Sequence, residues 1–168
     1  APRYGVAIYA RQQFRGAFLD VVGGFSSASL ESTRIIAIPG FTSVATLEND
    51  SFESHVAMRL GYGFDLGAMR VTPYAGAQFV RWQANGADET GAGAASLALL
   101  TQSAKSLVAR AGVNLTGKLS VGGVELHPEL DFVWRNELED DARSIVGEFG
   151  GAPFSLRSRQ PNRGGLAA

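Results

Sequence analysis

The chain has 168 residues, 15 basic against 16 acidic for a net charge of −1, and no cysteine. That length suits one domain with a sizeable core; the even charge gives no electrostatic case for nucleic acid, and the lack of thiols excludes disulfides and thiolate metal sites. Glycine is abundant at 21 residues, charged residues make up only 18%, and no run approaches 18 apolar residues, so the composition excludes a transmembrane helix and points to an all-β class.

In chain order, the opening Ala1-Pro2 carries no signal-peptide pattern, so any such segment is expected to have been removed or to lie elsewhere. Strands are expected over residues 4–12 and 17–27, the second with Leu19, Val21 and Phe25 outward and Asp20 inward. Residues 28–50 read as a long polar connection, with 34–38 as the top of a strand. Over 51–64 the pattern alternates, Phe52, Val56, Met58, Leu60 and Tyr62 against Glu53, His55 and Arg59. Residues 71–83 read as a strand whose faces stay open, because Tyr74, Val80 and Trp82 share one parity and Pro73, Ala75 and Phe79 the other. Residues 84–102 read as a second long connection, with 92–100 as loop leading into strand. Alternation returns over 103–115, where Leu107, Ala109, Ala111 and Val113 oppose Arg110 and Asn114. Further strands are expected over 124–138 and 142–149, with a stub over 164–168. Short turns fall at 13–16, 65–70 and 116–123.

The clearest pattern is VELHPELDFVWRNEL at 124–138. Its even positions are mostly apolar and its odd positions mostly charged. Strands of soluble domains mostly run about 5–6 residues. Fifteen residues at roughly 3.3 Å each span about 50 Å, and tilted by about 45° they climb about 35 Å, more than a hydrocarbon layer of about 30 Å. A strand with one wet face and that reach suits a wall between lipid and a water-filled lumen. The alternation of short turns on one rim with long connections on the other points the same way. So do the aromatic residues near strand ends (Tyr62, Phe64, Tyr74, Phe79, Trp82, Phe132, Trp134).

Several stretches resemble, in order and spacing, successive blocks of the autotransporter β-domain: PYAGAQF at 73–79, ETGAGAASL at 89–97, SLVARAGVNL at 106–115, HPELDFVWRNEL at 127–138 and FSLRSRQPNRGGLAA at 154–168. GVAIYA at 5–10 and GAFLDV at 16–21 look like upstream strands of the same domain. The resemblance covers essentially the whole chain. It implies an all-β fold, an antiparallel transmembrane β-barrel of roughly twelve strands, of which a single partial domain over 1–168 holds about seven to eight. It also implies a location in the outer membrane of a Gram-negative bacterium and a role in type V secretion, translocating and anchoring an N-terminal passenger. The partners implied are outer-membrane lipid, the chain's own passenger segment threading the lumen, and the outer-membrane assembly machinery. Against the family pattern, the first strands with the pore-threading helical segment, and the last strands with the terminal aromatic residue, are expected to lie outside this stretch.

On this reading function is distributed, with no catalytic residue, cofactor or metal site. The lumen face is expected to carry Glu53, His55, Arg59, Arg110, Asn114, Glu125, His127, Glu129, Asp131 and Arg135, with Arg59 and Arg110 foremost because small neighbours leave room for a guanidinium. The lipid face is expected to carry Val56, Met58, Leu60, Leu107, Val113, Leu130 and Phe132. Gly61, Gly63, Gly76 and Gly112 have two readings, a clear path for a threaded chain or local strand bending. Three rival readings stand beside this one. An enzyme lacks a G-x-S-x-G elbow, and its two histidines lie on separate strands; His127 between Glu125 and Glu129 makes at most a weak metal site. A soluble lipocalin-like barrel would put the apolar face inside, and alternation alone does not say which face is inside. A general porin or adhesin-type barrel shares the membrane reading.

Overall fold

The computed structural model describes residues 2–139, 144–157 and 164–167. They form an antiparallel all-β structure whose only helical element is one 3₁₀ turn at Gly93–Ala95. The strands are β1 (Arg3–Phe14), β2 (Ala17–Ile38), β3 (Phe41–Tyr62), β4 (Phe64–Leu66), β5 (Met69–Ala84), β6 (Ala87–Asp88), β7 (Leu97–Leu99), β8 (Gln102–Gly117), β9 (Leu119–Val121), β10 (Val124–Leu126), β11 (Glu129–Glu137), β12 (Ser144–Phe149), β13 (Ala152–Arg157) and β14 (Gly164–Ala167). The main sheet runs β1-β2-β3-β5-β8-β11-β14, with β4 beside β5. It curls into a half-barrel. Each strand pairs with its sequence neighbour in the wall, so the topology is a meander built from local hairpins.

Turn chemistry sets the lower rim. Arg15 and Gly16 both have positive φ, 44° and 88°, as do Gly122 and Gly123, 59° and 81°. Two such central residues give the mirror-image turn whose twist matches that of the flanking strands. β4 continues β3 in the same register past Gly63, as Phe64 pairs with Val71 where Gly61 pairs with Tyr74. At the opposite rim the connections are long and carry structure of their own.

Two expectations change there. The connection over 28–50 is mostly strand: β2 and β3 remain paired from Ala17↔Tyr62 to Ile38↔Phe41, beyond the last β1 partner at Ala28. This overhang is braced by the β5–β8 connection through reciprocal Thr46 and Thr90 backbone bonds of 2.9 Å. The second change concerns β12, expected as a wall strand over 142–149. Residues 142–143 lie outside the described residues, and Ser144–Phe149 belongs to a separate sheet ordered β13-β12-β7-β6. Its alternation identified a strand without identifying its partner. Over residues 92–100 the loop leads into strand as expected, through a 3₁₀ turn at Gly93–Ala95 into β7.

The fifteen-residue strand is interrupted at His127-Pro128, because Pro128 has no N–H to give the ladder. The register survives the break. Glu129 pairs with Thr116, Gly117 N–H donates to the Pro128 carbonyl at 3.0 Å, and Leu126 pairs with Leu119. The stub at the far edge pairs with β11 over Gly164–Ala167, and Ala168 lies outside the described residues.

Candidate functional site

Antiparallel partners project to the same side of a sheet. One row of partners therefore joins Arg11, Asp20, Arg59, Gly76, Arg110, Arg135 and Gly165 across six steps of the wall. The side chains of this row line the concave face. A cavity of about 510 Å³ there is bounded by Asp20, Arg59, Tyr74, Arg110, Asp131 and Arg135. A second, of about 730 Å³, lies toward the lower rim beside Arg11, Arg70, Asn114 and Glu129.

Asp20 is the anchor of the row. It is 8% exposed. Its carboxylate accepts from Arg59 Nη2 at 2.8 Å and Nε at 3.2 Å, from Tyr9 Oη at 3.1 Å, and pairs with Arg11 Nε at 3.0 Å. The Arg59 guanidinium also lies 5.3 Å from the Phe18 ring centroid and 5.5 Å from that of Tyr74. Charge pairing and cation–π contact thus hold it across the wall. Further round, Arg110 donates to the Gln78 side-chain oxygen, Tyr74 Oη donates to Asp131 at 3.1 Å, and Asn114 donates to Glu129 at 2.7 Å. Glu137 accepts from Ser106 Oγ at 2.8 Å and from the Leu107 N–H at 2.7 Å.

The concave face thus brings together Arg59, Arg110, Asn114, Glu129, Asp131 and Arg135 of the expected set. Glu53 and His55 share its parity nearer the upper rim, where Glu53 stands 3.6 Å from Arg3. Glu125 and His127 do not join the wall. They sit 3.9 Å apart on the β9–β10 extension of the lower rim. Val56, Met58, Leu60, Leu107, Val113, Leu130 and Phe132 all take the opposite, convex parity. Met58, Leu60 and Leu130 are more than half exposed there.

The parity of its strand puts Asp20 inward, as expected; Arg11 and Glu137 are further members of this face that alternation alone does not mark. Tyr74 belongs to the strand of open parity, and the structure settles that strand: Tyr74, Val80 and Trp82 face inward, Phe79 and Arg81 outward. Tyr74 is seated by a glycine, as is Phe18 of β2. A Cβ on Gly112 would stand 2.6 Å from the Tyr74 ring, and one on Gly61 would stand 2.5 Å from the Phe18 ring. Each ring lies over the glycine of the neighbouring strand, so at these two positions the space is filled from within the wall. Among the described residues no group of three His, Cys, Asp or Glu side chains is placed to hold a metal ion.

Compared with known proteins, residues 2–168 match a family model described as Autotransporter beta-domain. No curated protein matches the chain.

Proposed function

The chain belongs to the autotransporter β-domain family, and from that premise we propose that it forms the wall of a Gram-negative outer-membrane barrel that translocates and anchors a passenger segment of its own polypeptide. The family's general role is translocation and anchoring at the bacterial outer membrane. The observation that carries the reading is the division of faces on one curled sheet. The concave side bears the charged row from Arg11 to Arg135, ion-paired at Asp20, and the convex side bears an exposed apolar surface. In a bilayer that places lipid outside and a wet lumen inside.

In this role the strands act as one domain that the outer-membrane assembly machinery inserts. Val56, Met58, Leu60, Leu107, Val113, Leu130 and Phe132 contact lipid. The lumen residues Glu53, His55, Arg59, Arg110, Asn114, Glu129, Asp131 and Arg135 hydrate the path and engage the threading segment. Arg110 and Arg135 do so most directly, since Arg59 is already committed to Asp20 and two rings. Glu125 and His127 meet the segment at the lower rim. The role needs no chemistry beyond polar contact, so no residue is assigned catalysis. A ligand-binding barrel would need its apolar face concave, the reverse of this arrangement.

The test is to fold the domain within its full-length parent, with and without detergent, and to compare gel mobility before and after boiling. Detergent-dependent folding with heat-shifted mobility is the expected result. A compact β-rich monomer that forms in plain buffer overturns the membrane role.

A further inference from the structure

Arg81 and Lys105 stand directly opposite each other on β5 and β8. Their chain neighbours Val80, Trp82 and Ala104 line an inner cavity, so both cations project from the convex face. Both are exposed. Opposed cross-strand residues have Cβ atoms about 4.5–5.5 Å apart, and like charges so placed repel. Among the described residues neither side chain makes an ion pair or a side-chain hydrogen bond. The next partner on that row is the uncharged Ser54 of β3. The nearest acids of that face on β3, Asp50 and Glu48, lie two and three outward positions above Ser54.

Their height on the wall is what gives the pair meaning. Below Arg81 the outward residues of β5 are Phe79, Ala77, Ala75, Pro73, Val71 and Met69. Below Lys105 those of β8 are Leu107, Ala109, Ala111, Val113, Leu115 and Gly117. No other outward residue of these two strands is charged. From Met69 to Phe79 is ten steps, which at about 3.3 Å each and a tilt of about 45° climb about 23 Å, close to the apolar band of about 25 Å on such barrels. The pair therefore lies just above the top of the apolar band, on the long-loop rim. Gln83 and Ser103, the next partners up, and the stacked Phe25 and Phe52 rings, 6.1 Å apart, border it. That composition suits a head-group layer.

We propose that Arg81 and Lys105 form a binding site for the phosphate-bearing head group of a lipid in the leaflet at the long-loop rim. The inference rests on the membrane reading above. A phosphate between the two cations relieves their repulsion, and the guanidinium fork matches its oxygens. The apolar column beneath accommodates the acyl chains. This continuity with the lipid-facing column favours a lipid phosphate over a free one.

The experiment uses the full-length protein in vesicles of zwitterionic phosphatidylcholine, doped either with lipid A, a bisphosphorylated glycolipid, or with the same lipid stripped of phosphate. Co-purified glycolipid is counted by native mass spectrometry, and the heat shift in gel mobility is recorded in parallel. The wild type is expected to retain the phosphorylated form over the stripped one, and Arg81→Gln/Lys105→Gln to retain it roughly thirtyfold less, as about 1 kcal/mol for each of the two cations near an anionic surface implies. Equal retention of the two lipids by the wild type, or no loss in a heat-shifted variant, overturns the site. Displacement by millimolar inorganic phosphate means a free-anion site and overturns the lipid assignment. A wild type without a heat shift removes the membrane reading itself, and the site with it. The wild-type comparison of the two lipids decides the matter even where the double variant fails to fold.

Discussion

At the scale of single residues, the same substitution has opposite consequences on the two faces. Leu130 and Glu129 are adjacent on β11 and project to opposite sides. In the folded parent barrel, Leu130→Arg is expected to cost about 2–4 kcal/mol, the range for a lipid-facing charge near the midplane, whereas Glu129→Arg costs much less. A detergent unfolding titration that finds the two equal rejects the assignment of faces. Asp20 makes a second case. It neutralises Arg11 and Arg59 from a nearly buried position, so Asp20→Asn leaves two cations sharing one neutral acceptor. A loss of about 1–3 kcal/mol follows, and the same titration reads it. Glu89, on the long-loop side, responds to pH. Hydrogen bonds from the Arg34 guanidinium hold its carboxyl below the usual range, burial opposes this, and the Leu97 N–H adds to the lowering. Its folded pKa lies below its unfolded one. The contact's contribution is therefore complete above the ordinary value near 4.5 and is lost as pH falls through the depressed folded value. Hydrogen exchange over β2 beyond Ala28 is expected to quicken in that acid window for the wild type. In Glu89→Gln exchange is expected to be quick at neutral pH already. An unchanged profile in the variant would mean that the Arg34 contact does not brace the overhang.

At the scale of the element, what the sequence disclosed depended on whether a strand had two different environments. β3 and β8 run between a polar face and an apolar one over 51–62 and 103–115, and their period-two signal was correspondingly plain. The overhang of β2 and β3 lies beyond the apolar band, with Glu31 opposite Glu48 and Ser32 opposite Leu47. Without a lipid-facing side its alternation fades, and it reads as loop. β5 was obscured differently. Its inward aromatics Tyr74 and Trp82 mimic an outward face, and the placement of Tyr74 over Gly112 of the neighbouring strand depends on register, which one strand's sequence does not contain. The prediction at this scale concerns that fit. Gly112→Ala puts a methyl 2.6 Å from the Tyr74 ring and 2.7 Å from the Phe132 carbonyl oxygen, and should destabilise the barrel by about 1–3 kcal/mol as overpacking does. Tyr74→Ala in the same chain relieves the clash with the ring and leaves that with the carbonyl, so it should recover part of the loss. Full additivity of the two substitutions in a double-mutant cycle would show that ring and glycine are not coupled.

At the scale of the molecule, the rims decide direction. The turns at Arg15-Gly16, Gly67-Ala68 and Gly122-Gly123 share one rim, and the overhang, the β5–β8 connection and the second sheet share the other. Outer-membrane barrels carry short turns on the periplasmic side and long loops outside, so the overhang is expected to face the exterior and the β9–β10 extension the periplasm. These 168 residues hold no cysteine, so a thiol introduced among them is unique within the domain and makes this accessible to direct measurement. A single thiol at Ala37→Cys, on the exposed end of β2, is expected to react with a membrane-impermeant maleimide on intact cells. One at Ser120→Cys, on β9, is expected to react only after the outer membrane is permeabilised. Both positions are exposed in the structure, so burial does not explain a difference between them. The reverse pattern would invert the barrel in the membrane and move Arg81 and Lys105 to the inner leaflet. Labelling of both on intact cells would mean that the sheet does not divide two compartments. The orientation thus ties the two-residue turns, the braced overhang and the basic pair above the apolar band to a single observable asymmetry.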